Sequence, residues 1–192
     1  MSSPLLKGGA QAGDVLILTK ALGVGVALAA TAKGAAASGL RQAALALMAE
    51  DSGCAVPLLR AHGGRALTDV TGFGLLGHAL EMAEAAGLGL TLKVDGPAAL
   101  PGVLPLLAAG EGAQLAQSNR RPLAGATLKG LSLADPRLAL LTDPQTCGGL
   151  LAAVPEAEAS ACLAALQHAG FSTARIVGQF AESPGIQLEA MQ

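Results

Sequence analysis

Aromatic side chains are almost absent from this chain, which has three Phe and neither Trp nor Tyr among its 192 residues. Hydrophobic residues still make up 52% of the sequence and charged residues only 14%, a balance that excludes a disordered chain. The core must therefore be packed from small and aliphatic side chains, chiefly Ala, Leu and Val. The length predicts one domain, because typical domains contain about 100 to 150 residues.

The composition also argues against several classes of function. The net charge is −2 and the one adjacent basic pair is Arg120-Arg121, whereas proteins that bind single-stranded nucleic acid combine basic grooves with stacking rings. The apolar stretch 15–32 is interrupted by Lys20 and falls short of the roughly 20 residues of a membrane span. Three widely spaced cysteines show no disulfide framework and no zinc motif, which favours a reducing, cytoplasmic setting: Cys54, Cys147 and Cys162.

Apolar periodicity and turn residues predict alternating strands and helices. Strands are expected at 14–20, 66–70, 88–94, 137–142, 150–154, 174–180 and 186–188. Helices are expected at 23–33, 38–50, 56–61, 97–109 and 155–170, with Ser38 as the N-cap of the second and Pro155 as the first residue of the last. A further helix is expected to end at Gly87 and to bury Leu76, Leu80, Ala83 and Ala86. Residues 110–129 are the least regular. The mixed order predicts an α+β domain with a mixed or largely antiparallel sheet.

Two similar segments carry the chemistry. L-T-D at 67–69 precedes V-T-G-F-G, and L-T-D at 141–143 precedes P-Q-T-C-G-G, so each apolar run ends in a carboxylate and a glycine-rich turn. Carboxylates suit Mg²⁺, and glycines before a helix let backbone N–H groups approach a phosphate. The same residues also favour ordinary turns. From local chemistry alone, a metal-phosphate site and a pair of plain turns both remain open.

Three longer matches point to a family. The segment D-V-T-G-F-G-L-L-G-H at 69–78 resembles a signature of the selenophosphate synthetases letter for letter, and L-T-D-P-Q-T-C-G-G-L-L at 141–151 closely resembles their second signature. The segment G-D-V-L-I-L-T-K-A-L-G at 13–23 is similar to the stretch that leads into their C-terminal domain, where Pro is common in place of Ala21. The resemblance covers nearly the whole chain.

This resemblance implies the C-terminal domain fold of aminoimidazole ribonucleotide synthetase, an α+β fold with a largely antiparallel sheet. It implies an enzyme that uses ATP, Mg²⁺, selenide and water to make selenophosphate, AMP and phosphate. Residues 1–12 are then a polar leader from a missing N-terminal domain, and 13–192 are the C-terminal domain. The nucleophile and its nearby Lys belong to the missing domain, so no catalytic residue is expected here and the isolated chain is expected to be inactive. The resemblance also implies a homodimer with nucleotide between the two domains.

The resemblance further assigns roles to individual residues. It matches Asp69 to a Mg²⁺-binding aspartate. Seven other residues are candidates for nucleotide or phosphate binding, with loop shaping or turn formation as the alternative for each: Thr71, Gly72, Gly74, Asp143, Thr146, Gly148 and Gly149. Cys147 occupies a position where many relatives have Ser, and no base is identifiable near it for a nucleophilic role. His78 is expected to be a packing or surface residue.

Two other functions remain open at this stage. One is a different ATP-dependent enzyme of the same superfamily, which also contains thiamine monophosphate kinase and a hydrogenase maturation factor. The other is a dimerisation or nucleotide-sensing module that has no chemistry of its own. The two long signatures favour selenide as the acceptor.

Overall fold

A computed structural model describes residues 4–35 and 39–190, in which a single seven-stranded sheet has the order β2-β5-β1-β6-β3-β7-β4. Pairing is antiparallel from β2 through to β3, whereas β7 runs parallel to both β3 and β4. The strands are β1 (Val15–Leu18), β2 (Ala66–Asp69), β3 (Gly89–Lys93), β4 (Ala126–Lys129), β5 (Leu150–Val154), β6 (Arg175–Ala181) and β7 (Ile186–Glu189). This mixed, largely antiparallel sheet confirms the predicted fold class.

Helices cover both faces of the sheet, because alternate residues of the central strand β1 point to different apolar cores. Leu16 and Leu18 belong to the larger core, whereas Ile17 belongs to the second core, built with residues of α3 and α8. The helices are α1 (Val24–Ala32), α2 (Leu40–Ala49), α3 (Val56–Ala61), α4 (Gly74–Ala86), α5 (Val103–Ala108), α6 (Leu115–Asn119), α7 (Pro136–Leu141) and α8 (Glu156–His168). None of the helices in the described ranges is long and apolar enough to cross a membrane.

The segment 137–142 was predicted as a strand, and this prediction is wrong. Asp135 accepts a hydrogen bond from the N–H of Arg137, and Pro136 occupies the first turn, so the segment is the helix α7. The run L-A-L-L fits a buried helix as well as a buried strand, and the capping residues that decide between them lie just before it.

Other predicted boundaries also require correction. The helix predicted at 97–109 begins only at Val103, after Gly102 adopts a positive φ of 87°. Pro155 is the N-cap of α8 rather than its first helical residue. The segment 110–129 contains α6, a 3₁₀ helix at Arg121–Gly125 and strand β4. In α4, Leu80 and Ala86 are only half-buried, while Gly87 ends the helix in the left-handed conformation as predicted. The predicted cap Ser38 lies outside the described residues.

The residues before β1 pack onto the domain. Lys7–Gly9 form a 3₁₀ helix, the carbonyl of Leu6 accepts the N–H of Leu67 at 3.3 Å, and Lys7 Nζ lies 2.7 Å from Glu81 Oε2. Ala10 is buried in the larger core. The described part of the predicted leader is therefore attached to β2 and α4. Its connection to a further domain stays a prediction.

Candidate metal and phosphate site

Three chain segments meet at one end of the strands. Antiparallel pairing aligns the end of β2 with the start of β5, so that Asp69 is the partner of Leu150, and it aligns the end of β1 with the same point. Thr19 Oγ1 accepts the N–H of Leu150 at 2.8 Å, and the N–H of Thr19 donates to the Leu150 carbonyl. The residues that follow β2 and those that precede β5 therefore become neighbours. We call them the Asp69 loop (residues 69–74) and the Asp143 loop (residues 142–149).

The two loops pack backbone against backbone. The N–H of Val70 donates to the Gly149 carbonyl at 2.9 Å, and a side chain at Gly148 would collide with the carbonyl oxygen of Val70. Gly74, with a φ of 71°, would bring a Cβ within 2.9 Å of the Leu141 carbonyl. These glycines permit a close approach that any larger residue would prevent. The structure thus brings the two signature segments together.

Asn119 joins the two loops from a third direction. Its side-chain Nδ2 donates to the carbonyl of Gly72 at 2.8 Å and to that of Thr142 at 3.1 Å. Asn119 is the last residue of α6, a helix that the sequence did not predict. No local pattern reveals this role, since both acceptors are backbone atoms distant in sequence.

Asp69 and Asp143 have opposite environments despite their similar motifs. Asp69 is exposed at the end of an edge strand, and its carboxylate makes no hydrogen bond or ion pair with any described residue. Asp143 follows the helix α7 and is 0% exposed. Burial raises the pKa of the Asp143 carboxyl from 3.8 to about 7, although N–H groups of Val26 and Gly25 and the Gln145 amide lower it.

The Asp143 loop caps the N-terminus of α1. Gln145 Oε1 accepts the N–H groups of Gly23 and Val24 at 3.2 Å each, and Gln145 Nε2 donates to Asp143 Oδ2 at 2.9 Å. Asp143 Oδ1 has no hydrogen-bond partner of good geometry among the described residues, although it lies against the backbone of Gly25. Acceptors at this end satisfy N–H groups that the helix leaves unpaired. Within this chain, Asp143 and Gln145 act on the helix rather than on solvent.

Lys20 is a buried cation at the same end of the strands. In the sequence it was recognised only as an interruption of an apolar run. It is 1% exposed, and its Nζ donates to three backbone carbonyls: Leu47 at 3.2 Å, Glu50 at 2.7 Å and Cys147 at 3.2 Å. Burial lowers the pKa of Lys20, with the Glu50 carboxylate acting in the opposite direction. Lys20 thus ties the end of α2 to the Asp143 loop.

Replacing Lys20 by Met is expected to destabilise the chain by about 2 kcal/mol, because buried carbonyl oxygens lose their donors. Urea unfolding of the purified chain would measure this effect. The matched control is Lys129→Met at an exposed position of β4, where the change should stay within about 0.5 kcal/mol. Equal stabilities for the two variants would show that the hydrogen bonds of Lys20 to the end of α2 and to the Asp143 loop do not stabilise the chain.

A methyl group at Gly148 is expected to separate the two loops. Gly148→Ala should lower the free energy of unfolding by about 2 to 3 kcal/mol, since the new Cβ would overlap the Val70 carbonyl oxygen. The control Gly125→Ala adds the same atom where no other atom lies within 4 Å. Denaturant unfolding of both variants would test the close approach, and a Gly148 variant as stable as the control would contradict it.

His78 is more than a packing residue, because both of its ring nitrogens have partners. Nε2 lies 3.0 Å from Thr71 Oγ1, and Nδ1 lies 3.0 Å from Glu81 Oε2. The ring is 5% exposed and lies 5.6 Å, between ring centroids, from the exposed ring of Phe73. Through Glu81 the contacts continue to Lys7. His78 therefore links the Asp69 loop to the first described residues of the chain.

The remaining predicted residues lie at the tips of the two loops. Thr146 and Cys147 are exposed, and Cys147 has a positive φ of 50°. A Cβ added at Gly72 would have only the Leu115 side chain near it, at 3.8 Å. The solvent-facing groups of the two loops therefore include the carboxylate of Asp69, the hydroxyl of Thr146 and the thiol of Cys147.

The side chains at this site could supply one ligand to a Mg²⁺ ion but could not enclose the ion by themselves. Among the described residues, no group of three or more His, Cys, Asp or Glu side chains could enclose a metal ion. Mg²⁺ commonly takes only one or two protein carboxylates and fills its other positions with water and phosphate oxygens. The unpaired carboxylate of Asp69 fits that requirement, and the buried carboxylate of Asp143 does not.

The fold and these loops define a known class of domain. The chain belongs to the family of AIR synthase related proteins and matches their C-terminal domain over residues 11–190. Within that family it is similar to proteins named selenide, water dikinase. It is 40% identical to the one from Paraburkholderia xenovorans over 92% of this chain, and 38% identical to the one from Rhizobium meliloti over 89%. The chain spans about half the length of these relatives, 50% and 49% respectively.

Solved structures share the fold at lower identity. The hydrogenase maturation protein HypE of E. coli superposes with a TM-score of 0.70 at 22% identity, over 96% of this chain and 48% of that one. A HypE structure in complex with ATP gives a TM-score of 0.60 at 16% identity, over 93% of this chain and 45% of that one. These likenesses show the fold alone.

Proposed function

We propose that this chain is the C-terminal half of a selenide, water dikinase, which makes selenophosphate, AMP and phosphate from selenide, ATP and water. The longer polypeptide that would contain it is called the parent protein below. The observation that carries the proposal is the unpaired, exposed carboxylate of Asp69, in a loop whose sequence matches the selenophosphate synthetase signature. The identity of about 40% to relatives of that name supports selenide as the acceptor.

In this proposal the chain supplies one wall of the active site. Phosphoryl transfer depends mainly on positioning and on cations that neutralise the charge of the phosphates. Asp69 would hold Mg²⁺, Thr71 would lie beside the metal-nucleotide complex, and Gly72 and the exposed Thr146 would face the phosphates of ATP. Gly74, Gly148, Gly149 and Asp143 would contribute through the backbone packing and helix capping described above. A HypE structure of the same fold was solved in complex with ATP, which supports ATP as the nucleotide of the parent protein.

Other properties of the parent protein follow from the same proposal. The nucleophile and its Lys would come from the other half, so the chain alone should form no AMP when selenide is added. The parent would be a homodimer, which sedimentation can test. Three free cysteines in the described residues support a reducing compartment such as the cytoplasm.

The direct test is to incubate the parent protein with ATP, Mg²⁺ and selenide and to follow the products by ³¹P NMR. We expect selenophosphate, AMP and phosphate in equal amounts, and no turnover without selenide. ATP consumption that ignores selenide would instead favour another ATP-dependent enzyme of this superfamily. Nucleotide binding without any turnover would favour a sensing module.

A further inference from the structure

The hydrogen bonds around His78 determine in which direction the Thr71 hydroxyl can act. Glu81 Oε2 receives Lys7 Nζ at 2.7 Å and faces His78 Nδ1 at 3.0 Å. The hydrogen bond from Lys7 lowers the pKa of the Glu81 carboxyl, and the one from His78 adds to this effect. Glu81 is therefore ionised at neutral pH, and an ionised carboxylate only accepts hydrogen bonds. His78 Nδ1 must then be the donor.

The orientation of Thr71 follows from that tautomer. In a neutral imidazole with the proton on Nδ1, Nε2 carries a lone pair and accepts. Thr71 Oγ1, 3.0 Å from Nε2, must then donate its one proton to His78. The remaining lone pairs of Oγ1 can only accept hydrogen bonds from a ligand. Thr71 is half-buried and lies two residues after Asp69, so an acceptor is placed in the loop that carries the free carboxylate.

We propose that His78 is a positioning residue which makes the Thr71 hydroxyl a hydrogen-bond acceptor for water bound to the cation at Asp69. Water on a cation donates hydrogen bonds, whereas a phosphate oxygen of ATP accepts them. The tautomer of His78 therefore assigns Thr71 to the hydration shell of the metal and not to the phosphates. The presence of a cation in this inference rests on the proposed function. The direction of the hydrogen bond between Thr71 and His78 does not depend on that function.

The first experiment measures that direction on the 192-residue chain without any ligand. Long-range ¹H–¹⁵N NMR correlations of the His78 ring at pH 7.5 should show Nδ1 protonated and Nε2 unprotonated. Glu81→Ala should abolish this preference, and Glu182→Gln, which removes an exposed carboxylate at the opposite end of the strands, should not. A proton on Nε2 in the unchanged chain would overturn the inference, whatever the parent protein catalyses.

The second experiment measures binding to the parent protein with Mn²⁺ and a non-hydrolysable ATP analogue. Thr71→Val should weaken Mn²⁺ binding, followed by electron paramagnetic resonance, about tenfold, and Thr71→Ser should restore it. Affinity for the analogue at saturating Mn²⁺ should change less than about twofold. The opposite pattern, a lost analogue affinity with unchanged Mn²⁺ binding, would show that Thr71 donates to phosphate and would overturn the proposal.

Substitutions at His78 separate positioning from simple packing. His78→Gln places a side-chain oxygen near the former Nε2 and should keep Mn²⁺ affinity within about threefold. His78→Asn reaches only the position of Nδ1, so Thr71 loses its acceptor and Mn²⁺ affinity should fall about tenfold. Equal losses in both variants, at equal stability, would contradict a positioning role. Failure of the parent protein to use selenide would refute the proposed function but leave both binding results decisive.

Discussion

Replacing Asp69 by Asn in the parent protein is expected to reduce selenide-dependent AMP formation about 100-fold or more at low Mg²⁺. The amide keeps the shape of the side chain but removes the one free carboxylate of the Asp69 loop, and with it the charge that would hold the cation. Part of the activity should return at high Mg²⁺ concentration, because weaker binding can be compensated by mass action. Steady-state assays across a Mg²⁺ titration would measure both effects.

The stability of the Asp69 variant should remain unchanged, which distinguishes a metal ligand from a structural residue. Asp69 is exposed and its carboxylate makes no hydrogen bond or ion pair with the described residues, so unfolding free energies should agree within about 0.5 kcal/mol. Glu182→Gln removes an exposed carboxylate at the opposite end of the strands and serves as the activity control. Full activity of Asp69→Asn at every Mg²⁺ concentration would make the Asp69 loop a structural feature.

The second large effect concerns Asp143 and the pH dependence of stability. Its pKa is raised to about 7 in the folded chain and returns to about 3.8 on unfolding, so the folded state holds the proton more tightly. The stability that this proton provides is fully present below about pH 4 and is lost as the pH rises through 7. The difference between the two pKa values corresponds to about 4 kcal/mol.

Asp143→Asn should remove this pH dependence, because an amide carries no titratable proton. The stability of the variant relative to the unchanged chain should increase by about 4 kcal/mol between pH 4 and pH 8. Denaturant unfolding at several pH values would measure the difference, with Glu182→Gln as an exposed control. A constant difference across that range would mean that folding does not raise the pKa of Asp143.

The sequence predicted most of the regular elements because their determinants are local. The limits of α3 and β5 agree with the predicted ranges 56–61 and 150–154, and Gly87 ends α4 as expected. The error at 137–142 came from an apolar run whose period does not separate helix from strand. As a result, the two L-T-D segments are not structural repeats: one ends a strand and the other ends a helix.

The candidate site could be predicted in its parts but not in its assembly. The matching signatures identified the residues of both loops, yet the burial of Asp143 depends on packing against α1, which is distant in sequence. The contact of Gly148 with Val70 and the two hydrogen bonds of Asn119 are equally non-local. Lys20 and His78 gave no distinctive pattern, because a lone Lys or His acquires its role only from the partners that the fold supplies.

The central claim is that the Asp69 loop borders a cation bound with nucleotide, and paramagnetic broadening tests it most directly. Mn²⁺ and a non-hydrolysable ATP analogue would be added to the isotope-labelled parent protein, and backbone amide signals followed by NMR. We predict strong broadening at residues 69–74, none in the turn 182–185 at the opposite end of the strands, and loss of the broadening in Asp69→Asn. Unbroadened signals at 69–74, with the analogue and Mn²⁺ both bound, would contradict the claim.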